Sequence, residues 1–397
     1  MSLVEVHIIQ NLAPNNLNRD DTGSPKDAFF GGVRRARLSS QAQKRAVRQY
    51  LRGFMSGFSE SELALRTRRL IRELTKLLED QEHPQEEVEK VITTALKGMG
   101  LGMAADKPHL TEYLLFLGQR EIESLALAIR GHWDVLAEVA HAEDSQAVVG
   151  MSRKERKKAA RAAVPDDVKR DLKAVLDGGK AVDLALFGRM LADEPKWRVD
   201  AAVQVAHAIS THRVDREFDF YTAVDDVNPE EQTGAGMMGD VEFCSACMYR
   251  YANLDLDQLR ENLQDDRALA ARAVEAFLRG FILTLPSGKQ NSFAAHNPPG
   301  FVALVVRSPG MPRSLAGAFE KPIHLRDGKS LSGLSTEALL TAWEVFDRAY
   351  GQPAEEWVAL MNLTDGTLHY HQDKLGDSLD KIVGATMQGV RTLLGVA

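Results

Sequence analysis

The chain has 397 residues, 44% hydrophobic and 26% charged, with a formal net charge of -7 at pH 7. That length and apolar content can fill a large core divided over two or three packed units. Overall acidity argues against a protein that coats nucleic acid with its whole surface, so any polyanion would be held in a groove. No run of about 18 apolar residues occurs, and the start Met-Ser-Leu-Val-Glu-Val-His lacks the charged-then-apolar pattern of an export signal, so a soluble, cytoplasmic protein without membrane contact is expected.

Charge is unevenly spread along the chain. Residues 1–52 carry Arg19, Lys26, Arg34, Arg35, Arg37, Lys44, Arg45, Arg48 and Arg52 against Glu5, Asp20, Asp21 and Asp27, a local +5 that points to nucleic acid. The alternation of Val4, Val6 and Ile8 with Glu5 and His7 predicts a half-buried strand over 3–9. A loop of about thirty residues is expected next, too long to be a plain connection. Ser39 or Ser40 then caps a helix to about Phe54. Its spacing puts Gln41, Lys44, Arg45, Arg48 and Arg52 on one face, and Ala42, Ala46, Val47, Tyr50 and Phe54 toward the core. Such a stripe is often only a solvated face; its single sign and the positive end of the helix favour an anion here.

From about 59 to 210 the period is helical, with helices predicted over 63–78, 87–96, 111–140 and 166–176. The basic run 153–161 is either an arm that touches nucleic acid or a solvated loop, and composition favours neither. Strand character returns over 241–251 and 301–307, flanking a long helix over 259–285 ended by Pro286. This order approaches the βαββαβ plan of ferredoxin-like and RNA-recognition folds, but the aromatic sheet motifs that stack bases in those modules are missing. Binding is therefore assigned to loops and helix ends. The segment 218–240 begins with Phe218, Phe220 and Tyr221, carries carboxylates in its middle and ends in glycines around Met237 and Met238. Its aromatic base and apolar tip suit either a wedge between bases, a contact with a neighbouring subunit or a surface hairpin.

Catalytic and metal signals are weak. Asp20-Asp21 and Asp225-Asp226 could together hold a divalent cation for phosphodiester cleavage, yet each pair sits where Asp commonly shapes a turn. His369 and His371 would share one strand face without an evident third ligand, and His207 and His212 miss the helical four-residue spacing. Cys244 and Cys247 lie in a strand pattern whose three-residue offset sends the thiols to opposite faces, which reads as two ordinary reduced cysteines. No phosphate-binding loop or nucleophile elbow is present, and no cofactor or metal is expected.

Several segments together resemble the CasC family, the repeated backbone subunit of the type I-E CRISPR surveillance complex Cascade. They are LNRDD, KDAFFGG, RRARLSSQAQKRA, VDLALFGRM, AHAISTHRVD, FYTAVDD, RYANLDLDQLREN and FAAHNPP, in order over most of the chain. The resemblance implies an α+β fold shaped like a right hand: an RNA-recognition (ferredoxin-like) palm from 1–58 and 183–397, a large helical finger insertion over 59–182 and a thumb hairpin at about 212–242. It implies a guide RNA (crRNA) as ligand, with further copies of the chain, other Cascade subunits and target DNA as partners. Copies would assemble head to tail along the guide, kink it and present it for pairing with DNA, without catalysis. Carried over by position, Arg19, Lys26, Ser39, Gln41, Lys44, Arg48 and Lys289 match guide-backbone contacts. Met190 matches an apolar guide contact, and Phe220, Tyr221 and Val224 match the thumb wedge. Arg34, Arg35 and Arg45 join this set by charge and position. The alternative is a metal-dependent ribonuclease like type III backbone subunits, using Asp20, Asp21 or Asp225.

Overall fold

The computed structural model describes residues 1–53, 56–79, 83–145, 159, 161–190, 195–223, 237–326 and 328–396. Phe54, Val224, Asp225, Asp226 and residues 153–158 and 160 of the basic run lie outside the described residues. The strands are β1 (Leu3–Asn15), β2 (Asp27–Phe30), β3 (Val33–Leu38), β4 (Ala64–Thr67), β5 (Leu115–Gly118), β6 (Val203–Val205), β7 (Ala208–Ser210), β8 (Glu217–Ala223), β9 (Met237–Asp255), β10 (Phe301–Ser308) and β11 (Glu355–Asn362). The chain forms two compact units. One comprises Met1–Ser56, Val203–Asp257 and Ala271–Ala397; the other comprises Gly57–Ala202 and Gln258–Ala270.

The first unit is built on an antiparallel sheet in the order β11-β10-β1-β9-β7-β3-β2, with β6 and β8 also paired to β9. β1 lies between β9 and β10, which run parallel to each other on either side of it and are joined through the helix Arg267–Leu283. This central position corrects the half-buried reading of β1. Glu5 and His7 are buried like Val4 and Val6, because the helix Leu331–Tyr350 covers their face. Burial of two polar side chains requires partners. Glu5 pairs with Arg307 and accepts hydrogen bonds from the Tyr251 hydroxyl at 2.5 Å and the Arg313 backbone N–H at 2.7 Å. Desolvation raises the Glu5 pKa, with Arg307 pulling the other way. His7 Nδ1 lies 2.9 Å from the Tyr249 hydroxyl, its ring 5.6 Å from that of Trp343, and burial lowers its pKa to about 3.

The thirty-residue loop expected after β1 contains regular structure. β2 and β3 form a hairpin whose two-residue turn, Gly31-Gly32, has φ of 60° and 79°, the positive values of a type I′ turn. A Cβ on Gly31 would lie 1.7 Å from the carbonyl oxygen of Glu320, so the close approach of hairpin and backbone requires glycine there. The helix after it runs Ser40–Leu51, one turn shorter than expected, and buries Gln43, Ala46, Val47 and Leu51; Ala42 and Tyr50 are half-buried. Strand β9 is longer than its apolar core predicts, and the long helix expected over 259–285 divides into Leu256–Asn262 and Arg267–Leu283. The break falls at Gln264 and Asp265, both with left-handed φ.

The second unit packs the helices Leu70–Leu78, Gln85–Met99, Gln119–Gly131, Trp133–Ser145 and Asp166–Ala174 around Leu74, Val91, Ile92, Leu96, Leu125 and Leu172. Two stretches read as helix are strands here: β4 and β5 pair with each other, and Leu115 and Leu117 of β5 enter the helical core. Short apolar runs carry no period that separates helix from strand, so the partner decides. No helix among the described residues is long and apolar enough to cross a membrane.

Candidate nucleic-acid interface

The loop after β1 is shaped by its own side chains. Asp20 Oδ1 accepts from the backbone N–H of Thr22 and of Ser24, both at 3.0 Å, and from the Thr22 hydroxyl at 2.7 Å. These bonds hold the Asp20 pKa below the usual carboxylate value. Asn16 Nδ2 donates to the Gly23 carbonyl at 3.0 Å and the Glu242 carbonyl at 2.8 Å, which ties the loop to β9. Asn18 bridges loop and helix: its Oδ1 accepts from the Ser39 N–H at 2.8 Å, and its carbonyl accepts from the Lys26 N–H at 2.8 Å. Arg19 is exposed at the turn, and Lys26 is half-buried beside it.

Ser39 is buried and caps the helix Ser40–Leu51, its Oγ accepting from the Ala42 N–H at 3.3 Å. The helix thereby points its positive end at the loop. Gln41 and Arg45 are exposed, Lys44 and Arg48 half-buried, and desolvation lowers the Lys44 pKa. The helix is fixed from below by Gln43. Its side chain donates to the Ala206 carbonyl at 3.0 Å and accepts from Arg250 Nε at 3.2 Å. Arg250 also reaches Gln10 Oε1 at 2.7 Å and the Phe281 carbonyl at 2.6 Å, near the end of the helix Arg267–Leu283. Its complete burial lowers the guanidinium pKa to about 9. The next turn carries Lys289, half-buried with φ of 50°. A Cβ on Gly288 would lie 2.3 Å from the Leu17 carbonyl oxygen, so this turn rests on the loop backbone two residues from Arg19. Arg19, Lys26, the helix start and Lys289 are thus brought together by backbone contacts of residues between them.

The hairpin arginines divide. Arg34 faces Asp27, which also binds Arg216 at 2.8 Å; Arg216 in turn binds Glu242 at 3.0 Å. This relay joins the hairpin to the base of the β8–β9 ribbon. Arg35 is fully buried and donates to the carbonyls of Phe30, Ser210, Phe319 and Glu320 at 3.1, 3.2, 2.8 and 3.3 Å. The fork is wholly occupied by backbone, which leaves Arg35 a place in the scaffold and none on the surface. Arg37 lies against the Asp27 carbonyl and, at 3.0 Å, against His207 Nδ1.

On the ribbon every residue of β8 is exposed. Phe218 and Phe220 share one face, and Tyr221 lies on the other, opposite Gly239. A Cβ on Gly239 would meet the Tyr221 hydroxyl oxygen at 2.6 Å, so the ring lies across the glycine and covers it. Phe220 and Tyr221 are therefore not equivalent: the first projects, 66% exposed, while the second clasps the two strands. In the second unit, Met190 is 85% exposed next to Arg189. Arg189 is buried, paired with Glu121 at 2.8 Å and bonded to the Trp197 carbonyl at 2.7 Å, so the methionine extends from a rigid point.

Cys244 and Cys247 are free, buried and on opposite faces, Cys244 with Leu12, Leu38 and Met248, Cys247 with Tyr249 and Trp343. Burial pushes the Cys244 thiol up to about 11. His369 and His371 do not share a strand face, since their segment is irregular and His371 has a left-handed φ of 57°. His212 Nε2 accepts from the Cys247 N–H at 3.1 Å. No group of three or more His, Cys, Asp or Glu residues suited to a metal ion occurs among the described residues. Sequence reasoning did not find the positioning roles of Asn16, Asn18, Gln43, Arg216 or Arg250; Asn18, Gln43 and Arg250 lie within the quoted LNRDD, RRARLSSQAQKRA and RYANLDLDQLREN segments, Asn16 directly precedes the first, and Arg216 directly follows AHAISTHRVD.

A loop, a helix start and a glycine-bearing turn that gather cations on an α+β frame define a protein suited to holding a polyanion along its phosphates. The chain belongs to the CT1975-like protein family, whose model matches residues 4–385. Among solved structures it is similar to a chain of a "CRISPR RNA-guided surveillance complex, pre-nicking", 33% identical with a TM-score of 0.81, over 98% of this chain and 100% of that one. It is also similar to a chain of a "CRISPR RNA-guided surveillance complex", 27% identical with a TM-score of 0.58, over 97% of this chain and 98% of that one. No curated protein matches.

Proposed function

We propose that this protein is the crRNA-binding backbone subunit of a CRISPR surveillance complex of the Cascade, type I-E kind. The observation that carries the reading is the 33% identity, across the full length of both chains, to a subunit of an RNA-guided complex. In this reading Arg19, Lys26, Gln41, Lys44, Arg45, Arg48 and Lys289 contact guide phosphates and riboses, which every spacer sequence shares. Arg34 acts through the relay to Arg216, and Arg35 and Ser39 position the surface from within. Met190 supplies an apolar contact, and Phe220, supported by Tyr221 and continuing into Val224, is the wedge that kinks the guide. The first unit is the palm: β9, a helix and β10 straddling β1 is the split βαβ of RNA-recognition folds. The helical unit is the finger. Copies stack head to tail along the guide in the cytoplasm, and the guide, not this chain, reads target DNA. The protein is a scaffold and not a nuclease; the bonds that commit Asp20 to its turn support this over the ribonuclease alternative.

Native mass spectrometry of the purified protein with two unrelated RNAs of two lengths tests the reading. Copy number rising in steps with length, whatever the sequence, is expected. A fixed single copy, or cleaved RNA in the same spectra, would refute it.

A further inference from the structure

His207 stands exposed beside Arg37, in the chain between two short strands that both pair with β9. Val205 is the partner of Ala252 and Ile209 of Tyr249, so Ala206, His207 and Ala208 lie opposite only Arg250 and Tyr251. The extra residue makes a β-bulge, a device that turns a side chain out of the ladder. This bulge is fixed on both sides: Gln43 donates to the Ala206 carbonyl at 3.0 Å, and Ala208 is paired with Leu38. Continued by one residue, the register of β3 and β7 sets His207 level with Ser39, the cap of the helix Ser40–Leu51. Lys26 reaches the same place, because its carbonyl accepts from the Arg37 N–H at 2.9 Å and makes the two residues cross-strand neighbours.

Arg37 decides the tautomer of the ring. A guanidinium only donates, so His207 Nδ1, 3.0 Å from Arg37 Nη1, is an acceptor and the neutral ring carries its proton on Nε2. Among the described residues Nε2 has no partner, and the charges acting on the ring are those of Arg37 and Lys26, both positive. The residues that pack beside it, Ser39, Gln43, Ala206 and Ala208, are uncharged, and Arg250 behind Gln43 is enclosed by its own acceptors. Burial, Arg37 and Lys26 together hold the ring below the usual histidine value. An aimed N–H donor, two cations and a helix start, with no carboxylate acting on the ring, suit one ligand chemistry, an anionic oxygen.

We propose that His207 is a further phosphate contact of the guide site, offering Nε2–H to a backbone phosphate flanked by Lys26 and Arg37, and that it takes up a proton when RNA binds. This rests on the guide-binding reading and adds to it a residue and a response to pH. The phosphate offsets the two cations, so the imidazolium is favoured in the complex more than in the free protein. Protonation also turns Nδ1 into a donor, which releases Arg37 to a phosphate of its own. Binding and protonation therefore favour each other, and affinity rises as pH falls.

The test measures the affinity of full-length wild type, H207Q and H207A for a labelled RNA by fluorescence anisotropy, at about pH 7.5 and about pH 5.5, either side of the ordinary imidazole value. Melting of each protein is followed in the same buffers. Wild type is expected to bind several-fold more tightly at the lower pH, with a salt slope steeper by about one contact. H207Q, which keeps an acceptor for Arg37 but takes up no proton, is expected to lose that gain. H207A is expected to bind about tenfold more weakly than wild type at the lower pH. An H207Q protein that matches wild type at both pH values would overturn the proposal and leave His207 only the task of holding Arg37, with guide binding intact. A wild-type affinity unchanged between the two pH values would overturn it as well. A wild type that binds RNA at neither pH would overturn the guide-binding reading together with this one.

Discussion

Replacing Arg35 separates a nucleic-acid contact from a scaffold residue at a position where charge alone favours the contact. Arg35 is fully buried, and its fork satisfies four backbone carbonyls from β2, β7 and the 319–320 segment. Arg35→Ala leaves those acceptors without a donor and opens a void. Lost hydrogen bonds to a charged group and unsatisfied buried carbonyls together cost about 3–5 kcal/mol. In a unit of this size that is a fall of about 10 °C in the melting transition. Arg35→Lys is expected to recover little of it, since one ammonium cannot span four acceptors arranged for a planar fork. Arg45→Ala, at an exposed position, should leave melting unchanged, weaken RNA binding and lower the salt slope by about one contact. Differential scanning calorimetry with RNA titrations at several salt concentrations reads both effects. An Arg35→Ala protein that melts with the wild type yet binds RNA more weakly would refute the assignment.

Lys44→Ala is expected to weaken binding of all guides alike and flatten its salt dependence; a loss confined to one sequence would contradict a phosphate contact. Gly31→Ala, which forces a Cβ onto the Glu320 carbonyl at a φ of 60°, should cost at least about 1 kcal/mol and shift the hairpin, visible as a lower melting temperature. Phe220→Ala should abolish guide kinking, read by energy transfer across a doubly labelled RNA, while Tyr221→Ala should loosen the ribbon and raise its amide exchange. His7 is held neutral by burial, its pKa lowered from 6.5 to about 3. The folded chain therefore refuses a proton that the unfolded chain accepts, and stability is lost as pH falls from 6.5 toward 3. One such group contributes a slope of up to about 1.4 kcal/mol per pH unit. Between pH 6.5 and 5, ahead of most carboxylates, denaturant unfolding of His7→Phe should show a shallower decline than the wild type.

Much of the candidate interface's local structure could be read from sequence, because helix caps, turns and charge stripes are set by neighbours a few residues apart. Ser39 as a cap, the single-sign face of its helix and the turn-forming role of Asp20 are of this kind. The opposite faces of Cys244 and Cys247 follow from the two-residue period of a strand.

Burial of charge was decided elsewhere. Arg34 and Arg35 are adjacent and identical in type, yet one faces solvent and Asp27 while the other is enclosed by carbonyls contributed from 175 and 284 residues away. Glu5 and His7 look like the wet side of an edge strand until a helix more than 300 residues later closes over them. β4 and β5 become strands only because each supplies the other with a partner across the helical unit. The sequence by itself determined the family motifs, the basic block and the local caps, since these depend on residues close along the chain. Only the tertiary structure decided which cations serve as scaffold and which remain at the surface, because desolvation depends on what the rest of the chain packs against them.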